Sequence, residues 1–290
     1  MSTLALSSTA RSYWQLTKPG IIFGNLVTTS AGFVLASKGE FNLSLFLATL
    51  IGISLVMASG CVFNNYIDQD LDEKMKRTRN RPLVRGEMSK DSALLFGTIL
   101  GILGTACLFL MTGVLPTTMA LLGFFVYVVL YSFSKYKTVY FTLIGSVAGA
   151  IPPVVGYCAV SHSFDLCALI LFTIVVFWQM PHFFAIAIYR LEDYIAGSIP
   201  VLPVKKGIFK TKIEMLLYMI AFTAASLLPF ICGYVGYAYL ITTLILGPTW
   251  LALCIKGFTC SNDRLWARKI FITSLIVIMG LSIAIPFSVL

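Results

Sequence analysis

"LSLFLATLIGISLVMASGCVFNNY" forms residues 43–66 and contains no charged residue. A helix of about 20 apolar residues is long enough to cross a hydrocarbon core of about 30 Å. Similar runs recur along the 290-residue chain, which is 58% hydrophobic and only 11% charged. Soluble domains are about 45–50% apolar and about 25% charged. Because the alternating segments of about ten residues typical of membrane β-barrels are absent, the sequence predicts an all-α, polytopic membrane bundle.

The hydropathy pattern divides the chain into nine transmembrane helices. No linker or low-complexity stretch interrupts the series, so we interpret residues 1–290 as a single domain. The predicted spans are 21–37, 43–66, 92–112, 114–133, 139–160, 166–189, 214–235, 237–256 and 270–289.

The basic residues lie on one side of these spans. If the N-terminus is inside, every Lys and Arg except Lys38 falls in a segment on the inner side. An excess of Lys and Arg in cytoplasmic loops is the positive-inside rule. The one-sided distribution of this charge, +9 in total, therefore indicates a cytoplasmic N-terminus and contact with the lipid bilayer, and no nucleic-acid partner is expected.

Two inner loops, 67–91 and 190–213, are much longer than the outer loops. Each follows a long span, the second and the sixth of the series. We therefore expect the functional site on the cytoplasmic side, where the two loops can meet above the bundle.

The first long loop begins with acids at helical spacing. Asn64, Asp68 and Asp72 are four residues apart, so on a helix they form one stripe, while Asp70 points to nearly the opposite face. Carboxylates one turn apart repel each other unless a cation lies between them. Mg²⁺ takes oxygen ligands and is often held by one or two carboxylates plus substrate phosphates. The stripe therefore predicts a magnesium site in which Asp68 and Asp72 are catalytic.

A basic run follows the acids directly. Arg77, Arg79, Arg81 and Arg85 carry planar guanidinium groups that match phosphate oxygens. A solvated loop that obeys the positive-inside rule would also explain these bases, but it would not explain why the acids continue in phase with Asn64. Acids for a metal followed by arginines for phosphate favour a metal–diphosphate site at the membrane surface.

The stretch 64–83 fits the pattern "NNxxDxxLDxxMxRTxxRPL". This pattern resembles the signature of the UbiA-type intramembrane prenyltransferase superfamily and, within it, that of the haem O synthases. Three further stretches fit that family in the expected order: "LTKPGIIFGN" (16–25), "GSVAGAIPPVVGY" (145–157) and "FWQMPHFFAIAIYRLEDYIAGSIPVLPVKKG" (177–207). The resemblance implies a nine-helix bundle, Mg²⁺ as cofactor, farnesyl diphosphate as donor and haem b as acceptor.

The resemblance also assigns residues in the second long loop. The superfamily carries a DxxxD motif there, but this chain has only Asp193, because position 197 is Gly. The resemblance therefore supports Asp193 as a further catalytic, metal-binding carboxylate and leaves open whether one or two Mg²⁺ bind. It places further diphosphate contacts on Arg77 and Arg81 and on Lys18, Asn25, Tyr131, Lys135, Lys137 and Arg190. In "YSFSKYK" (131–137) the family's run is shortened by one residue, and the sequence does not decide between Lys135 and Lys137.

His182 lies inside a predicted span, within "WQMPHFF". An ionisable residue at membrane depth is a candidate functional residue. It could bind haem, through the iron or the edge of the ring, or it could be satisfied by a neighbouring helix. Trp178 lies one turn away, and its ring face could stabilise a carbocation. We assign both residues to the predicted haem and prenyl pocket.

The expected reaction, from the resemblance, is transfer of a farnesyl group to a haem vinyl group with addition of water, which gives haem O for terminal oxidases. The expected location is the bacterial inner membrane, with the active site facing the cytoplasm and with possible downstream haem-handling or oxidase assembly partners. Two alternatives stay open: a related prenyltransferase acting on an aromatic or quinone precursor, and a transporter of an anionic solute.

Overall fold

A computed structural model of the chain describes residues 2–289, with side chains from residue 9 onwards. The predicted single domain, 1–290, begins and ends on residues that lie outside this range. Within it, nine helical segments are long and apolar enough to cross a membrane, which confirms the predicted number. The α-helices are α1 (Ser2–Leu16), α2 (Pro19–Ser37), α3 (Leu43–Ile67), α4 (Gln69–Lys74), α5 (Lys90–Thr112), α6 (Val114–Phe125), α7 (Ser132–Ser134), α8 (Phe141–Gly149), α9 (Ile151–Ser161), α10 (Leu166–Tyr189), α11 (Leu191–Ala196), α12 (Leu202–Ile231), α13 (Tyr237–Lys256) and α14 (Asp263–Ala284).

Two spans begin more than one helical turn before their predicted first residue. The seventh was expected from residue 214 but α12 begins at Leu202, and the ninth was expected from residue 270 but α14 begins at Asp263. Hydropathy marks only the apolar centre of a span, whereas the helices continue through charged residues at the membrane surface. Asn262 supports the early start of α14 because its side chain accepts a hydrogen bond from the Leu265 amide at 3.0 Å.

The fourth and fifth spans are not simple α-helices. In the fourth, α6 is followed by a π-helix over Val126–Tyr131 before α7. The fifth consists of α8 and α9, which meet at Ala150. Near this junction, the buried Gln179 side chain of α10 donates to the Ser146 carbonyl at 3.0 Å. The same carbonyl also accepts from the Ala150 amide at 3.1 Å, so Gln179 adds a second hydrogen bond to the backbone beside the junction.

The nine spans form a closed ring of neighbours. Each span contacts the next one in sequence, and the ring closes where α14 packs against α2. Within the ring, α2 also packs on α9, and α10 on α14. The largest buried cluster lies among α10, α12, α13 and α14 and extends to α2 and α9. Because α3 and α10 are the second and sixth of the described spans, both end on the side of the bundle where α1 ends and α2 begins. We call this side the charged face; it carries residues 68–89, 135–140, 190–201 and 257–262.

Glycines allow α2 and α9 to touch backbone to backbone. A Cβ on Gly32 would lie 2.1 Å from the Pro153 carbonyl oxygen, and one on Gly156 would lie 2.0 Å from the Thr29 carbonyl oxygen. Small residues allow such close approach in membrane helices, where dispersion contacts rather than hydrophobic burial drive association.

Replacing Gly156 with Ala is therefore expected to destabilise the bundle by about 1–3 kcal/mol, the usual cost of overpacking. Thermal unfolding of the purified protein in detergent, followed by tryptophan fluorescence, measures this as a lower Tm. The matched control is Gly24→Ala in α2, where an added Cβ meets nothing within 4 Å. Equal melting temperatures for the two variants would contradict the close contact.

Candidate active site

The predicted stripe of polar residues lies at the end of α3. This helix ends at Ile67, and α4 begins at Gln69. Backbone bonds from the Asp68 amide to the Asn64 carbonyl and from the Asp72 amide to the Asp68 carbonyl, at 3.0 and 2.8 Å, keep the helical spacing across this joint. Asn64, Asp68 and Asp72 are 3%, 6% and 2% exposed, whereas Asp70 is exposed, as the spacing predicted. The stripe therefore faces the protein interior.

Each buried acid of the stripe is paired with a cation from elsewhere in the chain. Lys135, which follows α7, forms an ion pair with Asp68, and Arg81 forms one with Asp72. Burial raises the pKa of the Asp72 carboxyl, and Arg81 opposes this. Burial likewise lowers the pKa of the Lys135 ammonium, and Asp68 opposes it. Buried charges of this kind are stable only with partners, so these acids require cations beside them.

Asn64 is held by residues from two further elements. Its side-chain oxygen accepts from the Lys18 ammonium at 2.5 Å, and its amide donates to the Ser132 hydroxyl at 3.0 Å. Ser132 in turn donates to the Tyr127 carbonyl at 3.1 Å, within the π-helix. Burial lowers the pKa of Lys18 to about 8. The π-helix thus delivers Ser132 and Lys135 to the stripe, in keeping with the frequent occurrence of π-turns at functional sites.

The donor atoms of the stripe fit a magnesium ion in type. They are buried oxygens of two carboxylates and one amide, the ligands that Mg²⁺ prefers. The two carboxylates already form ion pairs with Arg81 and Lys135. Within residues 2–289, no three His, Cys, Asp or Glu side chains converge as a metal-ligand group. The protein would therefore supply only part of the ligands of such a metal, and oxygens of a bound phosphate would have to supply the rest.

Asp193, the predicted acid of the second loop, lies in α11 and is half-buried. Its Oδ1 accepts from the Lys76 backbone amide at 3.1 Å, so the two long loops do meet at the charged face, as predicted. The structure does not bring Asp193 into one cluster with Asp68 and Asp72. The reason is local: α10 ends at Tyr189, and Asp193 belongs to a new short helix.

A cavity of about 490 Å³ opens beside Asp193. It lies between the end of α10, the start of α14 and the residues that follow α4. Arg77 and Arg190, both predicted for the diphosphate, line it, together with Arg264, which sequence reasoning did not single out.

The other residues predicted to contact the diphosphate differ in burial and in the partners that they bind. Tyr131 is half-buried and stacks on Tyr127 with ring centroids 5.6 Å apart. The Asn25 side chain donates to the Ile21 carbonyl of its own helix at 2.8 Å. Lys135 is buried on Asp68, whereas Lys137 is exposed, so the structure separates the two lysines that the sequence could not.

Tyr136 contacts Asp68 and was not predicted from the sequence. Its hydroxyl donates to Asp68 Oδ1 at 3.4 Å, from a half-exposed ring. The residue lies inside the quoted stretch 131–137, but spacing alone gave no reason to choose it over its neighbours.

His182 and Trp178 form a separate polar site between α10 and α14. The Nδ1 atom of His182 lies 2.7 Å from the Ser274 hydroxyl, and the Trp178 indole donates to the Ser274 carbonyl at 2.8 Å. The two rings stack with centroids 4.8 Å apart. A neighbouring helix therefore satisfies one nitrogen of His182, and only Nε2 remains for a ligand.

Comparison with known sequences gives matches over most of the chain. The family model described as the UbiA prenyltransferase family matches residues 25–275. A "protoheme IX farnesyltransferase" of Protochlamydia amoebophila is 56% identical over 275 residues, covering 95% of this chain and 97% of the relative. Proteins of the same name from Sodalis glossinidius and Yersinia pseudotuberculosis are 54% and 51% identical, each covering 94% of this chain and 93% of the relative.

Solved structures share the fold. A structure from work on digeranylgeranylglyceryl phosphate synthase in membranes has a TM-score of 0.79 and 20% identity, covering 97% of this chain and 98% of that one. A UbiA homolog from Archaeoglobus fulgidus bound to GPP and Mg²⁺ has a TM-score of 0.68 and 16% identity, covering 95% and 99%. At these identities the likeness shows the fold alone, and it confirms the predicted all-α membrane bundle.

Proposed function

Because the chain belongs to the UbiA prenyltransferase family, we propose that it transfers a farnesyl group from farnesyl diphosphate to a vinyl group of haem b, giving haem O. The resemblance seen in the sequence is thereby confirmed at the level of the family, and a transporter is set aside. The names of the relatives support the two substrates. The observation that carries the proposal is the buried stripe of Asn64, Asp68 and Asp72, with cations paired to it at the charged face.

We assign a magnesium ion to this stripe, held by Asn64, Asp68 and Asp72, whereas Asp193 of the second loop lies outside this cluster. When bound, Mg²⁺ neutralises negative charge on the diphosphate oxygens and so makes the diphosphate a better leaving group. The UbiA homolog solved with GPP and Mg²⁺ supports this assignment by analogy.

The cations now paired with the stripe are suited to change partners. Lys135 and Arg81 form ion pairs with Asp68 and Asp72. When the donor binds, we expect these two side chains to turn to the diphosphate oxygens, together with Lys18 and Arg77. Charge-assisted hydrogen bonds of this kind are about twice as strong as neutral ones. Donors aimed at the oxygens on which charge develops stabilise the transition state.

The bond changes follow from this binding mode. The allylic C–O bond of farnesyl diphosphate breaks, and the diphosphate takes the electron pair. The terminal carbon of a haem vinyl group forms a new C–C bond to the farnesyl carbon, which leaves a cation beside the pyrrole ring. Water adds to that cation and releases a proton, so the product carries a hydroxyethylfarnesyl group. The apolar bundle interior keeps water from the first, more reactive cation.

The site between α10 and α14 is proposed as part of the haem and prenyl pocket. The Trp178 face can stabilise the allylic cation through its ring quadrupole. His182 has Nε2 available for haem iron, because Ser274 occupies Nδ1.

The charged face is proposed to face the cytoplasm of a bacterial inner membrane, because every Lys and Arg residue except Lys38 lies in a segment on that side of the spans. The relatives are bacterial proteins, which agrees with this location.

The function is tested with purified protein in liposomes, given farnesyl diphosphate and one of two acceptors. We expect mass spectrometry to detect farnesylated product with haem b and none with 4-hydroxybenzoate, an aromatic acceptor. Product from the aromatic compound alone would contradict the proposal and would favour the related prenyltransferase activity.

A further inference from the structure

The cavity at the charged face has an excess of cations. Lys76, Arg77, Arg190 and Arg264 line it, beside an apolar wall that includes Ile188. A volume of about 490 Å³ lies within the range of about 300–1,000 Å³ typical of small-molecule sites.

Two of these cations lie on one aromatic ring. The Arg190 guanidinium carbon is 4.6 Å from the centroid of the Tyr189 ring, and that of Arg264 is 5.8 Å from the same centroid. Among the described residues, no ion pair involves either guanidinium. Two guanidinium groups that lie on one ring repel each other, and anions bound to both groups would stabilise them.

The acids of the cavity do not meet this need. Asp193 accepts from the Lys76 backbone amide, and Asp263 is paired with the buried Lys212 ammonium at 2.5 Å. Glu192 is exposed and forms no ion pair within the described residues.

Lys212 also positions the first residues of α14, which include Arg264. Besides Asp263, its ammonium donates to the Gly257 carbonyl at 2.6 Å, so it ties α12 to the turn that precedes α14. Lys212 is only 6% exposed. The first residues of α14, and Arg264 with them, are therefore held against the end of α10.

We propose that Arg190 and Arg264 bind the two propionate carboxylates of the porphyrin acceptor. This inference rests on the proposed function. Guanidinium groups bind carboxylates with two parallel hydrogen bonds, so two arginines match two carboxylates. The diphosphate has its own partners in Lys18, Arg81 and Lys135, which contact the stripe. Arg190, which the sequence assigned to the diphosphate, is thereby reassigned to the acceptor.

This binding mode also orients the acceptor. The two propionates of haem b lie on adjacent pyrroles, and the two vinyl groups lie on the other two. Propionates held at the charged face therefore turn the vinyl edge away from the surface and into the bundle, where the farnesyl chain lies.

The test uses Arg264→Gln, with Arg268→Gln as the matched control. Arg268 lies one turn further along α14, is exposed and does not line the cavity. Binding is measured on the detergent-solubilised protein with iron protoporphyrin IX, with its dimethyl ester, and with the thiolodiphosphate analogue of farnesyl diphosphate. The loss of a charge-assisted pair is expected to weaken protoporphyrin binding by about tenfold or more in Arg264→Gln and to leave Arg268→Gln unchanged. Donor-analogue binding is expected to stay unchanged in both.

The ester provides a test that does not depend on the folding of any variant. The unmodified protein is expected to bind the dimethyl ester about tenfold more weakly than the free dicarboxylate. In Arg264→Gln, the difference in affinity between the ester and the dicarboxylate should be smaller. Equal binding of ester and dicarboxylate by the unmodified protein would overturn the proposal. Weaker donor-analogue binding in Arg264→Gln, with unchanged porphyrin binding, would overturn it in favour of a diphosphate site. If the proposed function itself fails, no farnesylated haem forms although these binding differences can still be measured.

Discussion

Replacing Asp68 or Asp72 with Asn is expected to lower the rate of haem farnesylation by at least about a hundredfold. Loss of a group that only supports a metal ligand typically costs 10–100-fold in affinity or activity, and loss of a ligand itself should cost more. Asn keeps the size of the side chain but removes the negative charge that would bind the metal and that pairs with Lys135 or Arg81. Turnover is measured by mass spectrometry of the product in liposomes, after gel filtration shows that each variant is folded.

The matched control is Asp70→Asn, two residues from each of these acids. It removes the same charge from the same loop, but its side chain is exposed and lies outside the stripe. We expect it to retain most of the activity. Near-normal turnover in Asp68→Asn or Asp72→Asn, or an equal loss in Asp70→Asn, would contradict the role of the stripe.

Removing divalent metal is expected to have the second largest effect. The stripe supplies two carboxylates and one amide, so binding of the donor diphosphate should depend on an ion that joins protein and phosphate oxygens. Treatment with EDTA should abolish turnover and weaken equilibrium binding of the donor analogue by about tenfold or more, and added Mg²⁺ should restore both.

The control for this experiment is the porphyrin. Its proposed partners, Arg190 and Arg264, do not depend on the stripe, so EDTA should leave protoporphyrin binding unchanged. Full activity after chelation, with no metal detected on the protein, would rule out the metal assignment.

The nine spans could be predicted from sequence because each consists of apolar residues over the thickness of a membrane. Their internal irregularities could not. The junction of α8 and α9 at Ala150 and the π-helix over Val126–Tyr131 lie in runs that are apolar throughout, where hydropathy carries no signal. The early start of α12 was missed because its first turns are charged and bend at Gly207, whose φ is 82°.

The acidic stripe could be predicted because helical spacing alone aligns Asn64, Asp68 and Asp72. Its partners come from distant parts of the chain. The choice between Lys135 and Lys137 depends on the register that the π-helix sets. The placement of Arg264 depends on the Lys212–Asp263 ion pair between α12 and α14. Both the Lys135–Asp68 pair and the Lys212–Asp263 pair join residues that are distant in the chain, so a single sequence could not reveal them.

The most direct test is to express the chain in a bacterium that lacks haem O and to determine the mass of the extracted haems, with Asp68→Asn as the paired variant. Farnesyl transfer with addition of water predicts a haem that has gained a farnesyl group and one water-derived hydroxyl group, present with the unmodified chain and absent with the variant. Haem b alone in both cultures, with the unmodified chain folded in the membrane, would contradict the proposed function.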